Sequence, residues 1–231
     1  MSSFSKFKDI EAVMTKAGGV LPVIEREYLK CLKEKKIPEY LLVEVKDCLS
    51  NLRTALDYLW NKIPSVSSGH FPVANSKADF LTKVERVEEK YATVLKKYQN
   101  YDSNSWIRCF NLFRNKNVHL TLIPQKRTET KEFSVKKMGA AENTATFRGC
   151  TFGGNGNHIF MHGVPLPIDL KTQFPLDTPG LDIDRKIWVD FLFDGSSISR
   201  EFPERVSALP FLKESFKTVS QIILDLEKEI E

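Results

Sequence analysis

The chain has 231 residues, of which 42% are hydrophobic and 28% are charged, and its formal net charge is +4. This length and apolar content suffice for a real core, in one large domain or two small ones, and exclude disorder as the dominant state. The sequence has no run of about 18 apolar residues, and its N-terminus lacks a secretory signal. We therefore expect a cytoplasmic protein with no membrane partner.

The four cysteines are widely separated and sit among apolar residues, so they form neither a CxxC metal pattern nor a dense disulfide framework. We predict that all of them are buried thiols. They are Cys31, Cys48, Cys109 and Cys150.

The first part of the chain has helical periodicity. Apolar residues at spacings of three and four predict a long helix over residues 39–63, with a proline just before it and another just after it. An earlier helix is predicted over residues 21–35. It continues from a helical segment at 4–16, with a break at Gly18 and Gly19.

Two further helices follow a loop at residues 64–72. One begins at Asn75 or Ser76, which offer an N-cap, and runs to about Tyr98. The next runs from residue 104 or 105 to residue 120 or 122, where Pro124 stops it.

The pattern then changes to short segments rich in aromatic and β-branched residues, which predict an antiparallel sheet. A last helix is predicted over residues 209–229, packing on the sheet or on the helical half. The fold class is therefore α+β, with a helical domain at 1–124 and a β-rich domain with a closing helix at 125–231. The predicted strands are 133–137, 144–152, 157–161 and 187–193.

One short constellation carries chemistry, the run Arg114-Asn115-Lys116-Asn117-Val118-His119. On a helix, residues four apart share a face, so Asn115 and His119 lie one turn from each other, and the long side chain of Arg114 reaches the same volume. An imidazole moves protons near neutral pH, and a guanidinium binds phosphate oxygens and stabilises developing charge. These groups suit phosphodiester cleavage without a metal.

At these residues the sequence resembles the HEPN superfamily, helical-bundle proteins whose ribonuclease members carry an R-x(4-6)-H motif, often with Asn after the Arg. The resemblance implies metal-independent RNA cleavage through the 2′-hydroxyl at a site that two protomers form across a two-fold axis. It implies proton transfer by His119, phosphate binding by Arg114 and a supporting role for Asn115. It also implies a homodimer and a bacterial setting such as toxin–antitoxin or anti-phage defence.

The resemblance covers residues 20–123 and includes a second stretch. The run at residues 51–59, followed by Phe71-Pro72-Val73, looks like the helical part of uncharacterised bacterial HEPN-like proteins. The β-rich half lies outside it, and we expect that half to bind a protein partner or ligand or to regulate the helices.

Positive charge is concentrated around the motif. Residues 108–137 hold eight bases and two acids, a local excess of six positive charges that is larger than the charge of the whole chain. Such a basic patch is typical of a surface that binds RNA phosphates. The alternative is that the charged regions of the chain are ordinary solvent-exposed surfaces without a binding role. The candidate RNA-binding residues are Arg108, Lys116, Lys126 and Arg127.

A purely structural role for the motif is the main alternative. Arg114 then pairs with a carboxylate such as Asp57 or Glu44, while His119 caps a helix end or bonds to backbone. The protein would then be a non-catalytic binding or scaffold protein with a helical dimer and a partner-binding sheet. A small-ligand pocket between the sheet and the last helix is a third hypothesis.

No cofactor or metal site is predicted. His158 and His162 have the spacing of a helical metal pair, but the glycines around them predict a strand, where the two rings would stand about 13 Å apart. The aspartates at 182, 184, 190 and 194 have no identifiable partner for a metal site. Sequence patterns of serine hydrolases, zincins and nucleoside triphosphatases are not found.

Overall fold

A computed structural model describes residues 7–34, 37–66, 69–101, 105–119, 122–138, 144–150, 158–161, 164–194 and 206–230. At residues 32–34, 114–119, 158–159, 161, 164 and 187–189 the description covers the backbone only. The chain forms two compact units. The helical unit contains the chain up to Arg127 and from Phe191 onward, and the sheet unit contains Thr128–Asp190.

The order of the elements confirms the predicted α+β class, with helices first, antiparallel strands next and a helix last. Among the described helices, none is both long and apolar enough to cross a membrane. The helices are α1 (Lys8–Glu34), α2 (Glu39–Trp60), α3 (Lys77–Lys83), α4 (Glu89–Tyr98), α5 (Trp106–His119) and α6 (Ala208–Ile230).

Helix α2 is the centre of the helical unit, because it packs against α1, α5 and α6. Its predicted apolar stripe is buried: Leu41, Leu49, Leu52, Leu56 and Leu59 are all fully inaccessible to solvent. An apolar stripe this wide is what a helix needs when it is covered by several neighbours.

The predicted break at Gly18 and Gly19 is wrong, because α1 continues through both glycines and through Pro22. A Cβ at Gly18 would lie 3.1 Å from the ring of Phe216 on α6. Glycine therefore serves here to bring two helices close together, and the contact outweighs the low helix propensity of the residue.

The predicted helix over residues 75–98 is divided into α3 and α4 by a turn at residues 84–88. Ser76 is the N-cap of α3, as predicted, and its side chain accepts a hydrogen bond from the backbone N–H of Asp79. A continuous helix would place Glu85 one turn from both Glu88 and Glu89, and like charges at these spacings are destabilising.

The closing helix α6 packs in the helical unit, which is one of the two positions that the sequence left open. Polar contacts supplement its buried apolar face, two of them from side chains of α4 and α5. Trp106 Nε1 donates to Ser215 Oγ at 2.8 Å, and Tyr98 donates its hydroxyl proton to Asp225 Oδ2 at 2.8 Å. Burial and this hydrogen bond raise the pKa of Tyr98 to about 12. The predicted division into domains at residues 124 and 125 remains a prediction.

The strands form two three-stranded sheets, in the orders β2-β1-β6 and β3-β4-β5. Phe133 on β1 pairs with Phe147 on β2, and the two rings stack with their centroids 4.9 Å apart over the small core of the sheet unit. The strands are β1 (Gln125–Lys137), β2 (Thr144–Arg148), β3 (His158–Met161), β4 (Val164–Asp169), β5 (Phe174–Pro175) and β6 (Leu181–Phe193).

Strands β1 and β6 are longer than predicted, and β4 and β5 were not predicted. The first half of β1 is polar and only partly buried, so it lacks the apolar alternation that marks a strand in sequence. Prolines at two positions of β4 weaken its strand signal. His158 lies in a strand, as predicted, whereas His162 and the glycine run before β3 lie outside the described residues.

The ends of β1 and β6 that belong to the helical unit are fixed by aromatic contacts. The ring of Tyr28 on α1 stacks on Phe191 with centroids 5.1 Å apart, and its hydroxyl donates to the side chain of Gln125. Phe193 packs 4.0 Å from the ring centroid of Phe113 on α5 and edge-on against Phe211 on α6. Such aromatic pairs contribute beyond the apolar area that they bury.

Three of the four cysteines are buried, as predicted, but Cys150 is exposed. It follows the end of β2 and the positive-φ residue Gly149. Desolvation raises the pKa of Cys48 to about 12 and also raises the pKa of Cys109.

Replacing Leu212 of α6 with Ala is expected to lower the free energy of unfolding by about 2–5 kcal/mol, because the fully buried side chain leaves a cavity. The matched control is Leu224→Ala on the same helix, where the side chain is 51% exposed and the change should stay within about 0.5 kcal/mol. Urea denaturation measures both. Equal effects would contradict the placement of α6.

A thiol reagent should modify Cys150 rapidly in the folded protein and reach the other three cysteines only on unfolding, since the thiolate is the reactive form and buried thiols stay protonated. The measurement is absorbance of the released chromophore, with Cys150→Ser as the control. Loss of the rapid phase in that variant confirms the placement, and its persistence refutes it.

Candidate functional site in the helical unit

A buried arginine joins three parts of the helical unit. The side chain of Arg53, on α2, is only 6% exposed. Its Nη2 donates to the backbone carbonyl of Phe71 at 2.8 Å, and its Nη1 donates to Asn111 Oδ1 on α5 at 3.4 Å. Arg53 Nε lies 3.1 Å from Asp57 Oδ1, one turn further along α2. The planar fork of a guanidinium suits this role, because it directs its donors toward several acceptors at once.

The carboxylate of Asp57 is held from three sides. Oδ1 accepts the backbone N–H of Phe71 at 2.8 Å in addition to facing Arg53, and Oδ2 lies 3.2 Å from Nδ1 of His70. The Asp57 side chain is 15% exposed, whereas the His70 side chain is 77% exposed. Asp57 therefore connects the buried guanidinium to an imidazole at the surface.

Side chains also bind the backbone of the extended segment at residues 71–74. Gln99 donates to the carbonyl of Pro72 at 3.0 Å and accepts from the N–H of Ala74 at 3.1 Å. Lys83 Nζ donates to the carbonyl of Val73 at 2.7 Å and to Asp79 Oδ2 at 2.9 Å. The hydrogen bond from Lys83 lowers the pKa of Asp79. The segment is thus fixed without belonging to a helix or sheet.

A cavity of about 420 Å³ lies where these elements meet. Arg53 and Trp60 of α2 line one side, residues 69–73 and Lys83 line another, and Asn111 of α5 contributes from a third. Gly69, just before His70, has a φ of 151°. Residues with a Cβ rarely adopt such a positive φ, so glycine is favoured at this position. The volume is in the range of natural small-ligand sites.

The backbone of α5 is helical through the whole Arg114–His119 motif. Residues 120 and 121 lie outside the described residues, and Leu122 is no longer helical, so the predicted end at 122 is too late. At 100° per residue, positions 114 and 115 lie within about 60° of Asn111 around the helix, and position 119 lies about 80° from it. Positions 114, 115 and 119 therefore lie on the same side of α5 as Asn111, one to two turns further along the helix. The side chains of residues 114–119 lie outside the description.

The other candidate RNA-binding residues are spread over two elements. Lys126 on β1 is 71% exposed, with Nζ 3.2 Å from Asp194 Oδ2. Arg108 on α5 donates to the carbonyl of Tyr101 at 3.4 Å. Arg127 on β1 is half-buried, and Lys116 is one of the residues described by backbone alone. Their binding of RNA stays a prediction.

From the sequence, Asp57 was expected only as a partner of Arg114, and the group formed by Arg53, Asp57, His70 and Asn111 was not predicted. A signal was available. Arg53 lies in the middle of the apolar stripe of α2, and Asp57 follows at the spacing of a helical ion pair. A charged residue on a buried stripe requires a partner.

No group of three or more His, Cys, Asp or Glu side chains that could hold a metal occurs in the described parts of the chain. Comparisons of the sequence with protein-family models and curated proteins, and of the structure with solved structures, found no match. The HEPN resemblance therefore depends on the motif and the helical segment alone.

The variant Asp57→Asn is expected to lower the free energy of unfolding by about 3–5 kcal/mol, because it leaves the buried Arg53 guanidinium without its counter-charge. Asp47→Asn is the matched control on the same helix. Asp47 pairs with Lys46 at the surface, where loss of an ion pair costs less than about 1 kcal/mol. Thermal and urea denaturation compare the two, and equal stability would refute a buried ion pair.

Proposed function

We propose that this chain is a HEPN-like, metal-independent endoribonuclease whose chemistry resides at the end of α5. The observation that supports it best is the unbroken helical backbone through His119. This helix keeps positions 115 and 119 on one face, the arrangement that the motif needs if its amide and imidazole are to act on one phosphate.

The anchoring of α5 also supports this function. Phe113, which precedes Arg114, is fully buried against Phe193 and Phe211. Asn111 is bound to Arg53 on the side of the cavity. A helix that is fixed on both sides presents its end in one orientation, and pre-organisation of this kind is what catalysis by positioned polar groups requires.

In the proposed reaction, His119 transfers a proton, Arg114 binds the non-bridging oxygens of the scissile phosphate, and Asn115 orients either group. Arg108, Lys116, Lys126 and Arg127 would attract the RNA backbone. The homodimer, the composite site across its two-fold axis and the setting in toxin–antitoxin or anti-phage defence come from the resemblance alone.

A non-catalytic binding protein is the second candidate, and one observation on the sheet unit favours it. Phe160 on β3 is 71% exposed, and Leu170 and Leu176 near β4 and β5 are 43% and 51% exposed. All three lie on or directly after strands of one small sheet, and contiguous exposed apolar patches mark surfaces that bind other proteins. A protein partner that binds the sheet is compatible with either candidate.

Arg114→Ala and His119→Ala should each slow cleavage of single-stranded RNA by about 10²–10⁴-fold, the usual contribution of a positioned proton-transfer or phosphate-binding group. The assay is single-turnover cleavage of an end-labelled RNA with a chelator present, which silences metal-dependent contaminants. Asn117→Ala is the matched control, because position 117 lies on the opposite side of α5 from positions 115 and 119.

The proposal predicts full activity for Asn117→Ala and loss of activity for the other two variants. If both Arg114→Ala and His119→Ala cleave as fast as the wild type, catalysis at this motif is refuted. If the wild type binds RNA without cleaving it, the non-catalytic candidate takes its place.

A further inference from the structure

The pair formed by Asp57 and His70 has the geometry of an oriented proton-transfer group. Nδ1 of His70 lies 3.2 Å from Asp57 Oδ2, and Asp57 is itself held by the backbone N–H of Phe71 and by Arg53. An imidazole in water rotates freely, whereas this one has one nitrogen fixed by a carboxylate that cannot easily move. The arrangement is the one by which a carboxylate selects the tautomer of a histidine.

The fixed nitrogen determines what the other nitrogen does. A carboxylate accepts hydrogen bonds, so Nδ1 carries the hydrogen and Nε2 of the neutral ring keeps a lone pair. No partner for Nε2 occurs among the described residues, and the ring is largely exposed and borders the cavity. A lone pair held in this way is able to take a proton from a bound hydroxyl group.

The cavity beside His70 supplies hydrogen-bond donors. The amide of Asn111 accepts from Arg53 through Oδ1, which leaves its NH₂ group for a ligand. Trp60 and Lys83 also line the cavity, and the ammonium of Lys83 is paired with Asp79. The charged groups near the imidazole are thus two ion pairs, Asp57 with Arg53 and Asp79 with Lys83. This environment suits the oxygen atoms of a sugar-phosphate chain.

We propose that His70 is a second catalytic residue of the RNA cleavage, acting as general base while His119 acts as general acid. This inference rests on the proposed function and identifies the group that activates the 2′-hydroxyl. Asp57 acts through His70 and is a positioning residue.

The proposed roles require both imidazoles to reach one phosphodiester. Asn111 borders the same cavity as His70, and position 119 lies two turns further along α5, about 12 Å along the helix axis. Cleavage of RNA by its own 2′-hydroxyl needs a base on the attacking side and an acid on the leaving side of the phosphorus, so the two groups must stand on opposite sides of it.

The step balances without a further reactant. Neutral His70 takes the proton of the 2′-hydroxyl at Nε2, and the 2′-oxygen forms a bond to phosphorus. The bond from phosphorus to the 5′-oxygen breaks, and this oxygen takes a proton from protonated His119. The products are a 2′,3′-cyclic phosphate and a 5′-hydroxyl, and exchange of protons with solvent restores both imidazoles.

The first test is chemical rescue of His70→Ala. The variant should cleave RNA about 10²–10⁴-fold more slowly than the wild type, and free imidazole should restore part of the lost rate. A purely structural role would not give this rescue. Ser65→Ala, an exposed change in the same connection after α2, should leave the rate unaltered. Unfolding midpoints of both variants verify that they are folded.

The second test assigns acid and base separately. In an RNA whose scissile 5′-oxygen is replaced by sulfur, the leaving group needs no proton donor. His119→Ala should therefore recover most of its lost rate on this substrate, whereas His70→Ala should remain slow. Recovery of His70→Ala instead would overturn the assignment of His70 as the base.

The positioning role of Asp57 has its own readout. Nitrogen-15 NMR of labelled imidazoles distinguishes the two neutral tautomers, and His70 should show its hydrogen on Nδ1 in the wild type and in Asp47→Asn. In Asp57→Asn, recorded at a temperature where the variant is folded, this preference should be lost. An unchanged tautomer would refute the role of Asp57.

The outcomes separate this inference from the function on which it rests. If the wild type cleaves RNA and depends on Arg114 and His119, but His70→Ala stays within about threefold of its rate, the proposal for His70 is wrong and the ribonuclease function stands. If the wild type does not cleave RNA under any of these conditions, both are overturned.

Discussion

The helical unit depends on one buried charge. A guanidinium that is only 6% exposed on the apolar face of a central helix destabilises the fold unless its charge is compensated. Arg53 is matched by three different parts of the chain: its own helix, the segment after it and α5. Because the buried charge needs these partners, it also fixes the position of the loop at Phe71 and of α5, the helix that carries the motif.

Side chains bind the backbone of a segment that belongs to no helix or sheet. Residues 71–74 form no ladder with a strand, yet Asp57, Arg53, Gln99 and Lys83 bind their polar groups. Buried backbone polar groups need hydrogen-bond partners, and in this segment side chains supply them. His70 stands at the edge of this fixed segment, where a surface side chain gains a defined direction.

Helix α5 belongs to the core on one side and to the cavity on the other. Phe113 is fully buried among the aromatic rings that hold the end of β6, while Asn111 faces the cavity and Arg53. The proposed catalytic residues follow directly on this two-sided helix. Catalysis by positioned groups needs rigid support more than it needs many contacts, and α5 provides that support up to the start of the motif.

The sequence by itself determined the helices, their apolar stripes, the α+β class and the motif at the end of α5, because periodicity and punctuation are local signals. It misjudged Gly18, where a close contact with Phe216 keeps α1 continuous, and it missed the short strands with prolines. Tertiary structure alone brought Arg53, Asp57, His70 and Asn111 together. They come from two helices and a loop, and no local pattern encodes which distant acceptors a buried guanidinium will find.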